Sequence, residues 1–340
     1  MGIKQVAVEA GVSVTTASRA LSGEGRVGAE TRARVLDVAH RLGYQPDEVA
    51  RQLRRGSTAT LAVLVPDIRN PFFPELVKGV QDAASRHGRL LQLAQTGDDP
   101  ELTLQLLAQL RRHRIEGVVL DATELPDEGL EEVLAGLPVV CVDRAADLPG
   151  AAVVRSDQRT GGRLATEHLV ALGHERIAHL AGPLHLDVAR QRLAGHHDAL
   201  EAAGLPVDPE LVVEATFSED AGREAVAALL ARRARFTAVF AGNDLMAIGA
   251  LRGLDDAGLR VPRDVSVVGF DDIHLASYVR PGLTTVRQET YELGRLAVET
   301  LLELSTGDAV DPLERVLPTT LVRRGTTARP QRERSAGGPA

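Results

Sequence analysis

The chain has 340 residues, 44% of them apolar and 3% aromatic, so it is long enough for two or three domains with substantial cores. Its single cysteine, Cys141 in PVVCVD, excludes an internal disulfide and fits a core strand in a reducing compartment; no run reaches the roughly 18 apolar residues of a membrane helix, and no basic-then-apolar leader opens the sequence, so a cytoplasmic protein is expected. The net charge of −8 hides an asymmetry: residues 1–57 hold nine Lys/Arg against six Asp/Glu, leaving 30 basic against 41 acidic residues in the remainder, so phosphate contact is favoured only at the N-terminal end.

In chain order, Ile3–Ala10 has helical periodicity with Val6, Ala7 and Ala10 on one face. Gly11 can stop that helix, Ser13 stands where an N-cap belongs, and Val14–Leu21 forms a second helix. Two helices joined by so short a turn describe a helix-turn-helix, whose second helix enters the DNA major groove. Gly23-x-Gly25-x-x-Gly28 mimics a dinucleotide fingerprint, but a helix precedes it where a strand is needed, so it is read as a loop. A third helix is expected over Glu30–Leu42, with Val35, Leu36, Ala39 and Leu42 buried and Tyr44 packed beneath. Residues 46–57 read as a linker with a two-turn helix around Leu53, too short to persist without a partner.

From Leu61 the pattern changes. The apolar runs LAVLV, LLQLA, GVVLD and PVVCVD alternate with helical stretches such as Phe73–Arg86 and Glu101–Arg112. The alternation restarts with RIAHLAG, LVVEATF, TAVFAGND and VSVVGFDD. Unbroken apolar strands separated by helices mean parallel sheets covered on both faces, and two such sets mean two similar doubly wound α/β subdomains. Ligands in such sheets bind beyond the carboxyl ends of the strands. Ala328–Ala340, rich in Arg, Gly and Pro, is expected to be a disordered tail.

Catalytic and metal motifs are not found. His174-Glu175 with His179 fails the HExxH spacing, His196-His197 are adjacent on a helix, and the Asp271-Asp272 pair need not converge. No phosphate loop or nucleophile elbow is present, so no metal and no cofactor are expected. Polar and aromatic groups instead collect just beyond strand ends: Phe72, Phe73, Asp143, Phe217, Asn243 and Asp271, with Arg190 and Arg192 on the helix after LAGPLHL. Carboxylates, an amide and a guanidinium fix hydroxyl groups, and an aromatic face stacks on a sugar ring or a base. The expected ligand is a hydroxyl-rich metabolite. On the second helix Val14, Thr15 and Arg19 face outward, Arg19 suiting a guanine edge and Val14 or the Thr15 methyl suiting thymine, with Thr16 and Ser18 placed for phosphate.

The motifs AGVSVTTASRALSG, ETRARVLDVAHRLGYQPDEVARQLRRGST, LAVLVPDIRNPFF, LVALGHERIAHLAGP, VFAGNDLMAIGALR, VPRDVSVVGFDDI and LTTVRQ, in this order, resemble the lactose-repressor (LacI/GalR) family of bacterial transcription regulators from Ile3 to about Thr327. The resemblance implies a head at 1–45, a hinge helix at 46–57 and a core at 58–327 like the periplasmic sugar-binding proteins. It places one subdomain at about 58–157 and 288–317 and the other at about 158–285 and 318–327, with crossings near Asp157, Leu283–Gln288 and Pro318. It also implies a homodimeric repressor on double-stranded DNA with a near-palindromic operator, Leu53 as a minor-groove wedge, and an effector, commonly a sugar, held by Asp143, Arg192, Phe217, Asn243 and Asp271. Two residues depart from the pattern: Gly2 stands where a threonine often caps the first helix, and Ala17 where valine is usual. The rivals are a solute-binding protein for transport, which the N-terminal 57 residues argue against, and an α/β enzyme such as a sugar kinase or hydrolase, which lacks its motifs.

Overall fold

The computed structural model describes residues 2–22, 26–44, 58–122, 125–144, 148–306 and 313–331. The expected hinge helix at 46–57 with Leu53, and the tail beyond 331, lie outside the described residues. The chain divides into two packed units, Met1–Thr58 and Ala59–Ala340.

In the first unit α1 (Ile3–Glu9), α2 (Val14–Ser22) and α3 (Ala29–Arg41) surround a small core of Val6, Ala7, Ala10, Ala17, Ala20, Val35, Val38 and Ala39. Gly11 at φ +64° makes the turn after α1. Ser13 caps α2: its Oγ accepts from the Thr16 N–H at 3.1 Å. Gly2 provides no side-chain cap for α1. One expectation fails: Leu36 is 48% exposed, and Val38 takes its place in the core. The buried stripe runs 35, 38, 39, the i, i+3, i+4 spacing of one helical face, and residue 36 lies about 100° round from 35.

Among the described residues the second unit holds two six-stranded sheets. The first runs β11-β5-β4-β3-β1-β2, built from β1 (Thr60–Val65), β2 (Leu90–Gln95), β3 (Gly117–Leu120), β4 (Val139–Val142), β5 (Ala152–Ser156) and β11 (Glu314–Leu317). The second runs β12-β10-β9-β8-β6-β7, from β6 (Ile177–Ala181), β7 (Val212–Glu214), β8 (Ala238–Ala241), β9 (Ser266–Asp271), β10 (Thr284–Arg287) and β12 (Thr320–Val322). Side chains alternate between two cores: on β1, Leu61, Val63 and Val65 enter one and Ala62 and Leu64 the other. That is why these strands are apolar throughout. Every pair is parallel except β10 with β12. The exception follows from connectivity. Only Pro318 and Thr319 separate β11 from β12, so the chain leaves the carboxyl edge of one sheet and enters the other from its carboxyl edge, against its strands.

Eight further helices are described: α4 (Phe72–Arg86), α5 (Pro100–Arg112), α6 (Leu130–Leu134), α7 (Gln158–Leu172), α8 (Asp187–Ala202), α9 (Glu219–Ala231), α10 (Asp244–Asp256) and α11 (Thr290–Thr306). Although it follows β10 of the second sheet, α11 packs on the first through Leu293, Ala297, Val298 and Leu301. It lies against α4 at glycines: a Cβ on Gly79 would sit 2.1 Å from the Tyr291 carbonyl oxygen, and one on Gly294 2.1 Å from that of Leu76. The chain thus passes between the sheets at Asp157, between Arg287 and Thr290, and at Pro318. Ala328 is not part of a free tail as expected. Its carbonyl accepts from Ser266 Oγ at 3.1 Å and its N–H donates to the same oxygen at 3.0 Å, so the strap extends the core past Thr327. Among the described residues no helix is long and apolar enough to cross a membrane.

Candidate ligand cleft and DNA-facing helix

The carboxyl ends of both sheets border one cleft, and seven of the eight expected ligand residues line it: Phe72, Phe73, Asp143, Arg192, Phe217, Asn243 and Asp271. Asn70 starts one wall, its Oδ1 accepting from the Phe72 N–H at 3.1 Å at the opening of α4. The Phe72 and Phe73 rings meet edge to face with centroids 5.2 Å apart. Asp143 follows β4 at φ +60°, and Asp271 closes β9 at φ +108°, backbone shapes that turn each carboxylate off its strand end. Asn243 lines the cleft and also caps α10, accepting from the Met246 N–H at 2.9 Å.

Arg192 is the electrostatic centre. Only 3% exposed, it stacks over the Phe270 ring at 4.0 Å, donates from Nη1 to the Gly242 carbonyl at 2.6 Å, and approaches Asp271 Oδ1 at 3.7 Å. Burial raises the Asp271 carboxyl to about 7 against the pull of Arg192 and the Gln288 hydrogen bond, and Asp143 adds to the rise. Burial likewise raises Asp143, opposed by Arg192, Arg144 and a hydrogen bond from Gln158. The site therefore presents two desolvated carboxyls poised to accept hydrogen bonds, buried cations to donate them, and aromatic faces.

Arg190 was expected here and is elsewhere. It is exposed and donates to the carbonyls of Leu184 and His185, at 3.1 and 2.7 Å, clamping the loop before α8. One helical position is 100°, so Arg190 and Arg192 lie on nearly opposite faces. The sequence reading missed Asn70, Arg144 and Gln288. Arg144 and Gln288 are, like Asp143, polar residues just past a strand end, so the same rule pointed to them. Arg144 is held between Asp98, at 2.5 Å, and the fully buried Asp121, at 3.4 Å.

Two of the histidines excluded as metal ligands, His174 and His179, have structural partners. His174 bonds Thr237 and the Ala328 carbonyl, while His179 bonds the Phe240 carbonyl and is held by burial at about 3. Among the described residues no cluster of three His, Cys, Asp or Glu side chains could hold a metal.

On α2, Val14 is 43% exposed, Thr15 and Arg19 are exposed, and Thr16 and Ser18 are half-buried. Thr16 Oγ1 lies 2.8 Å from Ser13 Oγ, within the cap itself. Val14, Thr15 and Arg19 thus form an outward strip one helix face wide.

Residues 2–47 match the family described as bacterial regulatory proteins, lacI family, and residues 166–327 match a periplasmic binding protein-like domain. The ribose operon repressor of Halalkalibacterium halodurans is 36% identical over 325 residues, 96% of each chain. The crystal structure of the lac repressor dimer bound to operator and the anti-inducer ONPF superposes with a TM-score of 0.84 at 33% identity, covering 96% of this chain and 99% of that one. A LacI family regulator from Enterococcus faecium with bound ribose superposes with a TM-score of 0.73 at 32% identity, over 80% of this chain and 100% of that one. With a helix-turn-helix head, two facing parallel sheets and this identity along nearly its whole length, the chain belongs to the lacI family of bacterial regulatory proteins.

Proposed function

We propose that this regulator represses transcription as a cytoplasmic homodimer on a near-palindromic operator, and that a monosaccharide bound in the core cleft sets its operator affinity. The observation that carries the ligand class is the cleft itself. Asp143 and Asp271, with Arg192 between them and the Phe72 and Phe217 rings alongside, line it together. Sugar hydroxyls donate to the carboxylates and accept from the guanidinium, while the C–H face of the ring lies on an aromatic. Ribose is the first candidate: a relative controls a ribose operon, and a structural neighbour holds ribose.

The exposed strip of Val14, Thr15 and Arg19 supports base reading, with Leu53 the proposed wedge in the minor groove. A second copy would cover the leucines of edge strand β2, where Leu90 is 69% and Leu93 43% exposed. The site works by binding rather than turnover. Effector binding in the cleft shifts the two subdomains against each other, hence the paired hinge segments, and operator and effector affinities change by the same factor.

The test is binding to a genomic fragment library at one fixed near-physiological salt, with and without ribose, other monosaccharides, cellobiose and nucleosides. Enrichment of a short palindrome whose affinity ribose shifts is expected. Failure to enrich any sequence would sink the repressor reading, and a response to nucleosides alone would sink the sugar reading.

A further inference from the structure

We propose that Gln158 is a positioning residue that latches the cleft from the hinge, its side-chain amide tying Asp143 of one subdomain to Arg192 of the other. This deepens the effector reading above and rests on it for the identity of the site; it adds how the hinge senses what the cleft holds.

Gln158 is the first residue of α7, directly after the first crossing, and is 2% exposed. Its Nε2 donates to Asp143 Oδ1 at 2.7 Å and to Gln288 Oε1 at 3.0 Å. Its Oε1 accepts from Arg192 Nε at 2.8 Å. Gln288 lies within the second crossing and donates from Nε2 to Asp271 Oδ1 at 2.8 Å. The third crossing joins the same node: the Asp157 N–H donates to the Leu317 carbonyl at 2.9 Å and Thr319 Oγ1 to the Asp157 carbonyl at 3.3 Å. All three crossings thus meet at residues 157–158, and from there one side chain reaches a carboxylate on the β4 wall and a guanidinium on the α8 wall.

The chemistry needs an amide. A primary amide has two donors and an acceptor on one planar group, so it serves a carboxylate and a guanidinium together without adding charge. A carboxylate at 158 would keep the acceptor for Arg192 but repel Asp143. An apolar side chain would leave both buried charges short of a partner, and buried charges tolerate that poorly. A ligand hydroxyl that engages Asp143 or Arg192 bonds the very groups that Gln158 holds, so cleft occupancy and hinge geometry share a single hydrogen-bonded network. Coupling of this kind is a difference in contacts between two states.

The experiment uses the full chain with spin labels at Arg69→Cys and Glu219→Cys, exposed positions on the first and second subdomains, with Cys141 fully buried. Inter-label distances are measured by pulsed dipolar spectroscopy without ligand, in the Gln158 background and in Gln158→Met. One short-distance population is expected with Gln158, and at least a tenfold gain of a longer-distance population in Gln158→Met. Gln158→Glu, of equal size, keeps the Arg192 acceptor and loses the donor to Asp143, so it is expected to open too and serves if the Met variant fails to fold. Identical distributions in a folded variant and its parent overturn the latch, as does an already open distribution with Gln158. In unlabelled protein, the factor by which D-ribose changes operator affinity is expected to fall at least tenfold in Gln158→Met; an unchanged factor also overturns it. If ribose has no effect on the parent while the variant still opens, the latch stands and the sugar reading alone fails.

Discussion

Replacing Asp271 by asparagine tests the electrostatics of the cleft in two opposed directions. The change keeps the shape, and asparagine tolerates positive φ, so the turn at φ +108° survives. It removes the charge. A sugar hydroxyl donating to a carboxylate makes a charge-assisted bond worth about 1.5–3 kcal/mol, so ribose affinity falls roughly 10- to 150-fold. Stability moves the other way. The folded-state pKa of Asp271 is raised from 3.8 to about 7, so between those values the unfolded chain binds fewer protons than the folded one. Wild-type stability therefore declines as pH rises through that window, by about 1.4 kcal/mol per pH unit from this group alone. Between pH 5 and pH 8 the Asp271→Asn protein gains on wild type by about 2–3 kcal/mol. Asp121, Asp143 and Asp244 are raised by burial too, but they remain in both proteins, and the difference largely cancels them. Urea unfolding at several pH values and ribose calorimetry read the two effects. A stability difference that stays flat from pH 5 to 8, with ribose affinity within threefold of wild type, would refute both the buried-carboxyl argument and the ligand role.

Three further outcomes are expected. Arg19→Ala lowers operator affinity about 5- to 150-fold and relaxes base preference at one operator position; a uniform loss across sequences with a shallower salt dependence in fluorescence anisotropy reassigns Arg19 to phosphate. Gly182→Ala places a Cβ 2.1 Å from Phe217 Cζ, displaces that ring, and weakens ribose binding at least tenfold, while sugar-free operator binding stays within threefold; calorimetry showing wild-type ribose affinity removes Phe217 from the site. Arg190→Ala leaves ribose affinity within threefold, because its guanidinium serves the Leu184 and His185 carbonyls outside the cleft; a tenfold loss would return it to the ligand.

The helix-turn-helix was legible because its signals are local: a glycine able to take positive φ at 11, a serine cap at 13, and a 3.6-residue apolar spacing in α1 and α2. The alternation of strands and helices was legible for the same reason, since strands buried on both faces must be apolar at every position. So were the cleft residues at strand ends, whose position follows from the sheet. What the sequence could not decide was which neighbours meet. Arg190 and Arg192 are alike in type and two residues apart, and only the packing of α8 sends one to a loop and the other into the cleft. Leu36 was taken for core because several stripes on α3 are apolar enough, and the other helices chose Val38. The return of α11 to the first sheet depends on close approach at Gly79 and Gly294, and the antiparallel β12 on which edge a two-residue connection enters. Gln158 and Gln288 carry no motif: their roles arise because residues 130 positions apart come within 3.0 Å at the hinge. Propensity and periodicity belong to neighbours along the chain and are written in it directly. Long-range hydrogen bonds and burial exist only once distant segments have packed, and that step raised the pKa of Asp271 and gave Gln158 its partners.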